Sequence, residues 1–287
     1  AVAHLAEHYR QTPDRLSEQQ VRQYLLQRGQ ELKPNSMRPI VGGIKFFYRA
    51  TVPREWKTLR AIRIPKTRTL PAVLTAERVW QLIEATRTTY LQTFFRVAFT
   101  CGLRPGDARH LTIHDVDADR MLLQVRTTKG CNDRCVPLPQ ATLEALRNYW
   151  RSHRNPKWLF PARANLKQLA TADKPISDRS IQRGFAQVVQ SLGWNQVGPS
   201  EAGPSKAGLC PHTLRHSYAT TMLEAGVNLK VLQTYLGHKN LQATEVYLHL
   251  TRHSDEQARR IVERLMNGPT EEEGRRRETG GESLESR

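Results

Sequence analysis

The residues able to do chemistry gather in four short stretches. The first is Cys101-Gly102-Leu103-Arg104-Pro105-Gly106-Asp107, at the end of an apolar helical run. The second is Thr128-Lys129-Gly130, which reads as a hairpin turn. The third is Pro211-His212-Thr213-Leu214-Arg215-His216, and the fourth is Leu236-Gly237-His238, with Tyr247 nine residues later. These side chains supply guanidinium and ammonium cations, imidazoles that change charge near neutrality, and one phenol. Taken singly, each stretch has an ordinary explanation. An Arg after Gly-Leu is commonly a helix-end cation, and most turn lysines are solvated.

Helices must position these groups. Pro211 suits the first turn of a helix. His212 and Arg215 then share one face, beside an apolar face of Leu214, Tyr218 and Met222. Asn228 caps a second helix whose apolar face is Val231, Leu232, Tyr235 and Leu236, and Gly237 ends it. His238 therefore emerges just past a helix terminus. Tyr235 lies on the apolar face and reads as core.

Together the stretches resemble the tyrosine recombinase (phage integrase) family. Its pattern is G-L-R, a hairpin Lys, H-x-L-R-H, L-G-H and a Tyr about nine residues on. Every element is present, in order, between about Thr75 and Met266. More loosely, the helical start of the chain is similar to the family's core-binding domain. The resemblance implies that Tyr247 attacks a DNA phosphodiester, forming a 3′-phosphotyrosine and freeing a 5′-hydroxyl. The covalent link stores the bond, so ATP is not needed. Arg104 and Arg215 would clamp the non-bridging oxygens, because a guanidinium matches phosphate geometry with two donors. His212 and His238 would add hydrogen bonds, with His212 also a candidate to take the Tyr247 proton. A phenol, with a pKa of about 10, needs such a base or a cationic pocket near neutrality. Lys129 resembles the family's general acid for the departing 5′-oxygen. No step calls for a metal or other cofactor.

The sequence departs from the family's pattern in places. Asp107 stands where Glu is usual, Pro105-Gly106 after the Arg is less usual, and the Gly/Pro-rich stretch before Leu209 looks like a local insertion. The N-terminal unit is short, as in a truncated chain. None of these removes a catalytic group. The resemblance further implies double-stranded DNA as partner and a homotetramer on it. A C-terminal helix at about 254–266, with Ala258, Ile261, Val262 and Leu265 on one stripe, would dock on a neighbouring protomer.

Charge agrees with a nucleic-acid partner. The chain has 287 residues, with 44 Lys plus Arg against 27 Asp plus Glu, a net charge of +17. Such an excess points to a polyanion, the plain alternative being a solvated basic surface. Apolar residues at 38% exclude a wholly disordered chain. No run approaches the roughly 18–20 apolar residues of a membrane span, and the start lacks a signal peptide's apolar core. Cys101, Cys131, Cys135 and Cys210 form no metal-ligand spacing and read as free thiols of a reducing cytoplasm.

The elements predict a mainly α fold with a small antiparallel β-sheet, in two domains. Residues 1–51 read as a helical domain. Ser17 and Gln20 form a capping box, Leu16 and Val21 a staple, and Gly29 closes that helix. A second helix runs from about Asn35 to Arg49. Residues 52–74 read as a basic linker in which Arg54, Lys57, Arg60, Arg63 and Lys66 lie along a phosphate backbone. Residues 75–267 form the catalytic domain. Its strands are expected at Leu111–Ile113, Met121–Val125 and Cys135–Leu138, and its helices at about 140–152 and 177–192. A Gly/Pro/Ser-rich loop follows at 196–208, and 268–287 read as a disordered tail.

Two other readings stay open at this level. One is a type IB topoisomerase-like or hairpin-forming relative, and the other a DNA-binding regulator without catalysis. The linker reading is testable by salt dependence, because neutralised phosphates release counterions. Replacing Arg60 and Arg63 with Ala should weaken binding to all DNA sequences and flatten the slope of log affinity against log salt. An unchanged slope in a filter-binding titration would remove these residues from the phosphate contact.

Overall fold

Serine chemistry starts the first long helix. The Ser17 Oγ accepts from the Gln20 N–H at 3.3 Å, and Gln20 Oε1 accepts from the Ser17 N–H at 2.8 Å. This capping box and the buried Leu16 and Val21 fix the entry into α2 (Glu18–Glu31). It follows α1 (Val2–Tyr9) and precedes α3 (Pro34–Ala50). Gly29 lies inside α2 instead of closing it, since its backbone stays helical and the helix continues to Glu31. The computed structural model describes residues 1–54, 56, 59, 61–64, 70–126, 133–162, 169–194 and 208–248. They fall into two compact units, Ala1–Thr69 and Leu70–Arg287.

The first unit closes around Leu5, Tyr24, Ile44 and Tyr48. The segment expected as an open linker contributes to that core. Leu59 is only 6% exposed, and Trp56, Ile62 and Ile64 pack against the same cluster. The Trp56 ring sits 4.4 Å from that of Tyr48, and Lys45 Nζ donates to the Ile62 carbonyl at 2.8 Å. The basic residues that dominate this segment hide an apolar set between them, so the boundary falls after Thr69, well beyond residue 51. Arg54 also makes contacts within this unit. Its guanidinium donates to the carbonyls of Leu16 at 2.9 Å and Asp14, and lies 5.6 Å from the Trp56 ring centre. These bonds tie its exposed side chain to its own unit.

The second unit begins with Ala72 and Leu74, both buried. Thr75 caps α4 (Ala76–Ala85) by accepting from the Arg78 N–H. Next, α5 (Thr89–Thr100) buries Leu91, Phe94, Phe95, Val97, Ala98 and Phe99, nearly its whole circumference, and so runs through the core. Phe94 and Phe95 meet Phe160 and Phe185 edge-on. A short α6 (Pro105–Arg109) leads to a three-stranded antiparallel sheet, β1 (Val116–Asp117), β2 (Leu122–Val125) and β3 (Arg134–Pro137), in that order. Leu111–Ile113 is not a sheet strand. Thr112 makes one isolated bridge to Trp158, and Ile113–Asp115 is a 3₁₀ turn held by Asp115 accepting from the Thr112 N–H.

Then come α7 (Gln140–His153), α8 (Asp178–Ser191), α9 (His212–Glu224), α10 (Leu229–Leu236) and α11 (Gln242–Glu245). Helix α9 packs against α4, α5 and α10, and buries Leu214, Ser217, Tyr218 and Ala219. No helix among the described residues is long and apolar enough to cross a membrane. Cys101, Cys135 and Cys210 are free thiols, and burial pushes Cys101 up to about 12. Cys131, the Lys129 turn, most of the Gly/Pro-rich loop, the 254–266 helix and the tail lie outside the described residues.

Leu59→Ala separates a core segment from a linker. As core it should cost about 2–5 kcal/mol in the first unit. Urea denaturation followed by Trp56 fluorescence measures this; an exposed linker residue would cost within about 0.5 kcal/mol.

Candidate active site

The site starts from a glycine. Gly102 ends α5 with φ +61°, and an added Cβ would lie 2.4 Å from Tyr218 Cδ1 on α9. No side chain fits there, so the backbone of α5 and the ring of α9 touch directly. The chain then buries Leu103 and presents Arg104 at the N-cap of α6, where Pro105 occupies the first helical turn.

Arg215 is the centre of the cluster. It leaves α9 at 2% exposure. Its Nη1 donates to the Gly102 carbonyl at 2.8 Å, and its Nη2 donates to the Leu236 carbonyl at 2.5 Å and to His238 Nε2 at 2.9 Å. These bonds use three of five N–H donors. Burial first, and repulsion from Arg104 second, lower the guanidinium to about 9, so it stays charged at neutral pH.

His238 follows Gly237, whose φ of +62° terminates α10 in the left-handed region. Because Arg215 can only donate, His238 Nε2 accepts, and Nδ1 carries the proton it gives to Thr244 Oγ1 at 2.9 Å. Burial, then Arg215, Arg104 and Arg134, push this imidazole down to about 3, which keeps it neutral. Its ring stacks on Tyr247, with 6.4 Å between centres and 11° between planes.

Tyr247 is 3% exposed, just after α11. Burial raises its phenol, while Arg215 and Arg104 pull it back. Its hydroxyl is 2.8 Å from His216 Nδ1. His212, one turn earlier on α9, reaches the surface, and its ring centre is 6.1 Å from that of His216. Desolvation by the surrounding protein, then Arg215 and Arg104, lower its pKa.

Of the six residues singled out as catalytic, Arg104, His212, Arg215, His238 and Tyr247 converge here, and Lys129 lies outside the described residues. Arg63 is exposed on the first unit, and Lys57, Arg60 and Lys66 also lie outside the described residues. Tyr235 packs against the core, as its helical face requires. Two residues were missed. His216 stands next to Arg215, one turn after His212, and that spacing was the available signal. Arg134 carried none. Strand alternation turns it onto the buried face of β3, where Nη2 donates to Asp107 Oδ2 at 3.1 Å and Nε to the Tyr235 carbonyl at 2.8 Å. The same Asp107 oxygen is 3.6 Å from Arg104 Nη1, so one carboxylate lies between two guanidiniums.

Residues 72–254 match the sequence profile described as the phage integrase family. The chain belongs to the phage integrase family. As a member of it, this tyrosine recombinase is 31% identical to tyrosine recombinase XerA of Pyrococcus furiosus over 243 residues, covering 81% of this chain and 77% of that protein. Its fold is similar to that of the Tn1549 transposon integrase in complex with a circular intermediate DNA, at TM-score 0.66, 18% identity and coverage of 89% and 87%. It is also similar to the fold of a lambda integrase dimer bound to a core site, at TM-score 0.65, 17% identity and coverage of 86% and 69%.

Gly102→Ala should lose roughly 2–4 kcal/mol, the sum of left-handed strain and a clash with Tyr218. Gly193→Ala shares a positive φ, at +72°, but meets open space. It should lose only about 1–2 kcal/mol. Equal losses in chemical denaturation would mean that Tyr218 moves aside freely.

Proposed function

We propose that this recombinase cuts and rejoins DNA strands at specific sites through a 3′-phosphotyrosyl intermediate on Tyr247, without ATP or metal. The observation that carries the reading is the reach of Arg215. Its guanidinium binds the Gly102 carbonyl, the Leu236 carbonyl and His238, so one buried cation joins three of the sequence stretches beside a buried phenol. In this reading Arg104 and Arg215 clamp the non-bridging oxygens of the scissile phosphate as negative charge grows on them. His212 and His238 add hydrogen bonds, and Lys129 protonates the leaving 5′-oxygen. Arginine and lysine supply the positive charge that metal ions supply in other phosphoryl-transfer sites.

The partner is double-stranded DNA. The first unit is the core-binding domain, and the second, with the segment to about 267, is the catalytic domain. Arg54, Lys57, Arg60, Arg63 and Lys66 contact the phosphate backbone. The working form is a homotetramer on two sites, coupled by the helix at 254–266. The unpaired thiols suit the reducing cytoplasm, where we assign its activity.

Tyr247→Phe should abolish covalent adduct formation while DNA binding persists, because only the phenolic oxygen is lost. Cleavage by the wild-type chain should proceed in excess EDTA. Trapping of an adduct through Tyr235 or Tyr218, seen by peptide mapping, would overturn the nucleophile; a magnesium requirement for cleavage would place the chemistry in another class.

A further inference from the structure

We infer that His216 takes the proton of Tyr247 as the hydroxyl attacks the scissile phosphodiester. This rests on Tyr247 being the nucleophile. Geometry selects His216 among the three histidines of the site. Its Nδ1 is 2.8 Å from the Tyr247 hydroxyl, within reach for direct transfer. His238 has both ring nitrogens engaged, one by Arg215 and one by Thr244, and stacks on the Tyr247 ring face. His212, the candidate the resemblance named, is exposed one turn earlier on α9, with its ring centre 6.1 Å from that of His216. It is better placed to relay a proton to solvent than to receive it from Tyr247.

Electrostatics explains why the pair is silent without DNA. The groups facing His216 are His212 and Arg215 from its own helix, His238 from the turn after α10, and Tyr247. Burial first, then His212 and Arg215, push His216 down to about 4. At neutral pH it is an uncharged acceptor, and Tyr247 keeps its proton. Burial holds the Tyr247 phenol above its ordinary 10.0, so proton transfer to His216 is disfavoured. A phosphodiester entering between Arg104 and Arg215 offsets the cations that depress His216. Its growing negative charge then stabilises an imidazolium.

The step balances. The Tyr247 O–P bond forms as the P–O5′ bond breaks, the phenolic proton moves to His216 Nδ1, and the 5′-oxygen takes a separate proton from the general acid. On rejoining, His216 returns its proton to the Tyr247 oxygen. The phosphate is therefore both substrate and the signal that makes the base competent.

The test uses the full chain and a nicked synthetic duplex of the genomic fragment it captures covalently, so that cleavage is trapped. His216→Ala and His216→Asn are compared with wild type, each with Tyr247 or with 2,3-difluorotyrosine at that position. Single-turnover cleavage at pH 7 should fall roughly 10²–10⁴-fold in both variants, the usual range for a lost general base. DNA affinity should stay within about twofold. The acid limb of the wild-type pH profile should vanish, leaving a rate that climbs with pH. The more acidic fluorinated phenol should restore most of the rate to the variants and change wild type little. His216→Asn still offers an oxygen to the hydroxyl but takes no proton. Recovery of the rate in that variant would reduce His216 to a positioning residue and overturn the inference. Wild-type rates in His216→Ala, or fluorotyrosine rescue of His212→Ala alone, would also overturn it. Adduct formation by Tyr247→Phe would instead refute the nucleophile itself.

Discussion

A guanidinium taken out of water without a carboxylate partner governs this site. Arg215 forms no ion pair with a carboxylate among the described residues, and moving such a charge into the interior costs several kcal/mol. Two backbone carbonyls and an imidazole nitrogen offset that cost. Each has to be held in place by its own element. The Gly102 carbonyl depends on a left-handed turn that only glycine fits, the Leu236 carbonyl on the end of α10, and the His238 nitrogen on Thr244. The fold of the second unit is thus organised to keep one cation desolvated and oriented.

Such a cation is matched to an anion that comes from outside. In a low-dielectric surrounding its attraction for phosphate is far stronger than in water, and its geometry needs no rearrangement on arrival. Arg104 is held differently. It stands a third exposed and shares Asp107 with Arg134, so its charge is partly balanced before any DNA arrives. One arginine is fixed and unbalanced; the other is accessible and tethered. The neutral histidines follow from the same field, since cations at close range disfavour a further positive charge.

Arg134 links the sheet to this arrangement. Its side chain fills the space beside Gly237, where a Cβ would come within 2.9 Å of the Arg134 Cδ. The glycine that ends α10 therefore answers two constraints, a left-handed backbone and close approach of a side chain from β3. Arg134 thereby ties β3 to the same ion cluster as Arg104, through Asp107.

Much of this was legible in the sequence, because local chemistry decides it. The capping box at Ser17, the start of α9 at Pro211, the end of α10 at Gly237 and the apolar face holding Tyr235 all depend on residues within one helical turn of each other. The motif spacing also named five of the residues that converge. What sequence could not give was decided by partners distant along the chain. Leu59 is core and Ile62 packs against that core because distant residues supply a surface for them, and the exposed Arg54 is held by the Leu16 and Asp14 carbonyls. His216 became a candidate base only when Tyr247, thirty-one residues later, brought its hydroxyl to the ring. A side chain's type and spacing set what it can do. Which atom lies within 3 Å of it, and in how much water, is settled by packing, and those two quantities determine its charge and its role.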